Sequence, residues 1–93
     1  MTSAPFPTID ATGVVSWTNP ASPPAQWVLE TRLYDASSSS TYQYNTQIAG
    51  SNTAFDAYSA SWPGGMRVVI FGVDADGNET FAPTVSNTLT KDQ

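Results

Sequence analysis

The chain has 93 residues, 40% of them hydrophobic, which suits one domain spanning 1–93 with a single core. Three basic residues stand against eight carboxylates, a net charge of −5, and that balance argues against nucleic acid and against anionic membrane surfaces as partners. Cysteine and histidine are both absent, which removes disulfides, thiolate metal sites, the commonest zinc ligand and the commonest general base.

No window shows helical periodicity, and prolines recur too often for long helices. Short strands between turn clusters are expected instead. Residues 6–10 form a first strand that Pro5 and Pro7 assign to a sheet edge. A second covers 13–18, with Val15 and Trp17 on one face, and the proline-rich segment 19–25 is a stiff loop. In the strand at 27–34, Trp27, Leu29, Thr31 and Leu33 share the expected core face, and Val28, Glu30, Arg32 and Tyr34 share the other. Residues 41–48 and 53–58 follow as strands, and residues 62–65 turn a tight corner. The strand beginning at Met66 is apolar on both faces, with Val68, Ile70 and Gly72 alternating against Val69, Phe71 and Val73, so it belongs in the middle of a sheet. Residues 79–89 make the last strand, where Pro83 marks a bulge or an edge. The expectation is seven strands. The first twenty residues hold no secretory signal, and no apolar run is long enough to span a membrane. The Met1 start favours a complete small protein over a module cut from a longer chain.

Four features in this order resemble the fibronectin type III family. A tryptophan precedes a proline on the second strand, Val15-Ser16-Trp17-Thr18-Asn19-Pro20, and an aromatic, Trp27, opens the third strand ahead of Leu29. A Pro63-Gly64 corner leads into Met66-x-Val68-x-Ile70-x-Gly72-x-Asp74, and a Gly77-Asn78 turn leads into the last strand. The resemblance covers nearly the whole chain and implies an all-β, seven-strand antiparallel β-sandwich of fibronectin type III or immunoglobulin-like type. Two departures mark a divergent member. Met66 stands where the family has a corner tyrosine, filling the space without the hydroxyl. The corner is one residue short, with Ser61 in an apolar position and Trp62 expected to swing over the end of the core.

Little in the chain points to chemistry. Asp74-Ala75-Asp76-Gly77-Asn78-Glu79 has the alternate carboxylates that open a calcium loop, but lacks the distal glutamate, and the same residues make a strand-to-strand turn. The turn is the favoured reading, with no metal and no cofactor. The hydroxyl run from Ser37 to Ser40 has no base beside it, and Asp10, Asp35 and Asp56 are far apart in the sequence, so no enzyme is expected.

Two surfaces are candidates for binding. With Val68 and Ile70 inward, Val69, Phe71 and Val73 point outward, joined by Val28 on the neighbouring strand as a partner interface. The competing arrangement lays Arg32, Tyr34 and Arg67 across these residues. Tyr42 and Tyr44 share a face and form a candidate glycan platform with Gln43 and Asn45 as hydrogen-bonding neighbours, against the plainer role of covering a core edge. The acidic, Lys-poor, Ser/Thr-rich composition and the apolar outer face suggest a small accessory protein that docks on a bacteriophage capsid or tail protein, hence a virion location. The alternative is a fibronectin type III spacer or carbohydrate-binding module of a secreted bacterial enzyme, and so extracellular.

Overall fold

In the computed structural model of the chain, residues 1–35, 38–57 and 64–91 are described. They contain strands and no helix: β1 (Thr8–Ile9), β2 (Val14–Ser16), β3 (Gln26–Asp35), β4 (Ser40–Ala49), β5 (Ala54–Asp56), β6 (Gly64–Val73), β7 (Glu79–Val85) and β8 (Leu89–Lys91). The hydroxyl of Ser37, the end of the strand expected at 53–58, Tyr58, and the corner with Ser61, Trp62 and Pro63 lie outside the described residues.

Two antiparallel sheets result. The smaller has the order β1-β2-β5; the larger has the order β4-β3-β6-β7, with β8 also paired to β6. The period-two alternation read from the sequence decides which side chains meet. Trp27, Leu29 and Leu33 of β3 and Met66, Val68 and Ile70 of β6 form one cluster with Ile9 and Val15 of the smaller sheet and with Trp17. Val15, Trp27, Leu29, Val68 and Ile70 have no exposure. Burial of each such aliphatic side chain is worth about 1.5–3 kcal/mol, so this shared core, in an all-β arrangement of β-sandwich character, supplies most of the driving force. Met66 is buried opposite Leu33 and Leu89, filling the space as expected.

The two buried tryptophans bring polar N–H groups into this core, and Asn19 satisfies both. Its Oδ1 accepts from Trp17 Nε1 at 2.9 Å and Trp27 Nε1 at 3.1 Å, and its Nδ2 donates to the Gly50 carbonyl at 2.9 Å. The rings meet edge to face, 6.3 Å between centroids. Phe81 also packs on Trp27, with 5.3 Å between ring centroids. Gly72 lies opposite Trp27 and Phe81, and a Cβ there would come within 2.8 Å of the Phe81 ring and 2.9 Å of Pro24. This close approach accounts for a glycine at this central position of the strand.

The expected last strand is two strands, β7 and β8, so the described residues hold eight strands where seven are expected. Pro83 does sit in a bulge: Thr84 pairs with Ile70 and Phe81 with Gly72, so Ala82 and Pro83 together face Phe71. The chain leaves the ladder three residues later, at 86–88. There Ser86 Oγ accepts from Val68 N at 2.8 Å, and Asn87 presents its amide to Ile9, accepting from its N–H at 2.9 Å and donating to its carbonyl at 3.1 Å. A side-chain amide thus acts as a strand partner for β1 and ties the two sheets together at that edge. The outer edge of β7 is covered by the N-terminal segment, with Ala4 N donating to Ala82 O and Ala82 N to Thr2 O, each at 2.8 Å.

Candidate functional site

The larger sheet turns one face to the core and one away from it, and the second face holds the candidate interface. Val28 pairs with Phe71, Glu30 with Val69 and Gln26 with Val73, so Val28, Val69, Phe71 and Val73 do share the outer face. They do not form an open apolar patch. Val28, Val69 and Val73 are 6, 4 and 5% exposed, and Phe71 is half-buried. The cause is their central position: Val69, for example, is flanked by Arg67 and Phe71 along β6, Glu30 across β3 and Val85 across β7. Val28 is likewise flanked by Gln26, Glu30, Gln47 and Phe71, and Val73, at the strand end, by Phe71, Gln26 and Glu79. What remains accessible is a recess of about 520 Å³ near the β6–β7 turn, lined by Val28, Phe71 and Val73 with Gln26, Gln47 and Asp74 around them.

That turn is now defined. Asp74 Oδ1 accepts from Asp76 N and Asn78 N, both at 2.9 Å, Gly77 N donates to Asp74 O at 3.0 Å, and Gly77 adopts a φ of 85°. The Asn78 N–H, first among these contacts, holds the Asp74 carboxyl below its ordinary value. Asp74 Oδ1 is thus engaged by backbone N–H groups, and Oδ2 faces the Asn78 amide nitrogen at 3.5 Å. Among the described residues no three Asp or Glu side chains converge as a metal cluster.

The same device closes the β1–β2 turn. Asp10 Oδ1 accepts from Thr12 Oγ1 at 2.6 Å, Thr12 N at 2.8 Å and Val14 N at 3.1 Å, and Gly13 has a φ of 87°. The Thr12 hydroxyl is the main cause of the lowered Asp10 pKa. Asp-Ala-x-Gly thus occurs twice, at 10–13 and 74–77, a pattern visible in the sequence.

Tyr42 and Tyr44 stand together on β4, 45 and 57% exposed, on the face continuous with Leu33 and Thr31. Gln43 and Asn45 lie on the opposite face, bonded to each other at 3.2 Å. Tyr42 and Gln43 nonetheless border one groove, while Tyr44 and Asn45 lie outside its lining. That groove, of about 620 Å³, is one that sequence reasoning missed, and it is lined from both registers of the sheet, with Leu33, Tyr42 and Met66 beside the outer-face residues. Arg32 and Arg67, directly opposite each other across β3 and β6, both line it, as do Tyr34, Thr41, Gly65 and Thr88. The sequence suggests for both arginines only the role of lying across the valines.

Comparison with protein-family models, with curated proteins and with solved structures finds no match to this chain.

Proposed function

We propose that the chain is a non-enzymatic binding module of fibronectin type III-like type that docks, through the outer face of its larger sheet, on a structural protein of a bacteriophage capsid or tail. The observation that carries the docking part is the recess lined by Val28, Phe71 and Val73. It offers a partner the half-buried Phe71 ring as a single aromatic anchor among polar groups, Gln26, Gln47 and Asp74. The family reading is supported by strand order. The second strand lies between the first and fifth, and the third between the fourth and sixth, which is the Greek-key arrangement of immunoglobulin-type sandwiches. The acidic, Lys-poor composition supports the virion assignment by analogy with particle proteins.

Phe71 is the most accessible of the four candidate residues, so Phe71→Ser tests the docking face. The variant is expected to keep a folded circular dichroism spectrum and to lose at least tenfold in the fraction that co-sediments with purified particles. A folded Phe71→Ser that co-sediments like the parent would refute this face, and a parent that never sediments with particles would refute the virion reading.

The exposed Tyr42–Tyr44 pair favours a second reading, a carbohydrate-binding module of a secreted enzyme. A glycan array decides it: a signal abolished by Tyr44→Ala supports this reading, and silence removes it.

A further inference from the structure

We propose that the groove between Arg32 and Arg67 binds a single carboxylated sugar, a uronic acid residue whose carboxylate sits between the two guanidinium groups. Charge placement is the first ground. The chain has only three basic residues, yet two of them are direct cross-strand neighbours. Their Cβ atoms are then about 4.5–5.5 Å apart, an arrangement of like charges that weakens a sheet. Glu30 answers one charge, bonding Arg32 Nη2 at 3.1 Å, while Arg67 has no carboxylate within ion-pair distance among the described residues. A carboxylate from outside completes the set, in the planar fork geometry that arginine offers.

Gly65 is the second ground. A Cβ there would meet only Thr88 Cγ2, at 3.5 Å, an ordinary contact, so packing does not demand glycine. Its missing side chain instead leaves the floor of the groove open beside Arg67. The groove, at about 620 Å³, lies in the range of small-ligand sites.

The lining selects the ligand class. β3 is paired along all ten residues to β4 on one side and β6 on the other, and β6 is bounded by β3 on one side and by β7 and β8 on the other. The floor therefore has no free backbone ladder to receive an extended peptide, and recognition must come from side chains. Those present are the half-exposed rings of Tyr34 and Tyr42 and the apolar Leu33 and Met66, which suit the C–H face of a sugar ring, the hydroxyls of Thr41 and Thr88, and Gln43, whose amide nitrogen is bonded to Asn45 and whose carbonyl oxygen can accept. A ring face, hydroxyls, an amide and two guanidiniums match a compact polyhydroxy carboxylate. The net charge of −5 repels an extended polyanion, so the ligand is one acidic residue in an otherwise neutral or short glycan.

The test is an amide-resolved NMR titration of the full chain at low ionic strength with galacturonic and glucuronic acids, and with galactose and acetate as controls. At least one uronic acid should give saturable shifts centred on Arg32, Gly65, Arg67 and Thr88, with galactose and acetate each at least tenfold weaker. Arg67→Gln should weaken that binding at least tenfold, and Gly65→Val, which fills the floor, should do the same in a chain that keeps the parent's spectral dispersion. Four results would overturn the proposal: no saturable shift with either uronic acid, equal binding of galactose, equal binding of acetate (an adventitious anion only), or undiminished binding in both variants.

Discussion

On the inner face of the larger sheet, Trp27, Leu29, Val68 and Ile70 have no exposure, because the smaller sheet's residues pack against them. On the outer face, Val28, Val69 and Val73 are nearly as buried, at 4–6%, yet they are closed in by neighbours on their own sheet, and Arg32, Tyr34 and Arg67 stand in solvent beside them. The same strands supply both faces. Low exposure therefore has two origins here. The inner face is shut by a rigid partner layer with close packing, so lost volume becomes a cavity. The outer face is shut by long side chains that can shift to follow a change. Stability belongs mainly to the first face, and the second is left with groups whose arrangement does not serve the fold.

Substitutions on β6 test that contrast directly. Ile70→Ala, which opens a hole between the sheets, should cost about 3–4 kcal/mol in urea unfolding. Val69→Ala, one residue away and equally low in exposure, should cost about 1.5 kcal/mol, the transfer value of the groups removed with little cavity cost. Equal losses per carbon removed would erase the distinction between the faces.

The aspartate turns provide a smaller and pH-dependent effect. Asp10 and Asp74 have folded pKa values below the ordinary 3.8, because backbone N–H groups and, for Asp10, a hydroxyl favour the charged form. A depressed carboxylate contributes stability that is fully present above 3.8 and is lost as pH falls through the folded value. Urea midpoints measured from neutral pH down into the acid range should fall less steeply for Asp74→Asn than for the parent. The same holds for Asp10→Asn, and unchanged slopes in both would remove these contacts from the acid response.

Much of this was legible in the sequence. Alternation along 27–34 and 66–73 assigned both faces correctly, because one shift of register would have put Glu30 and Arg32 in the core. The same rule places Tyr42 and Tyr44 in the opposite register from Gln43 and Asn45, although Tyr42 and Gln43 border one groove, which period two does not reveal. Repetition of Asp-Ala-x-Gly was equally visible and identifies both turns. Other features were not legible. The break at 86–88 depends on a serine hydroxyl and an asparagine amide replacing backbone partners, and many serines and asparagines never do so. The arginine pair depends on long-range register: Arg32 meets Arg67 because Trp27 meets Gly72, and no local pattern sets that match. Burial of the outer valines follows from the same two-sided pairing.

The division between faces is tested most directly by urea unfolding of Arg67→Gln beside the parent, at low and at high NaCl. If Arg67 is retained for a ligand, removing it relieves repulsion with Arg32. The midpoint should then be unchanged or raised at low salt, within the roughly 0.5 kcal/mol typical of surface substitutions, and any difference should shrink as salt screens the pair. A loss of about 1 kcal/mol or more at both salt concentrations would show that Arg67 holds the sheet together and would contradict the assignment of the outer face to binding.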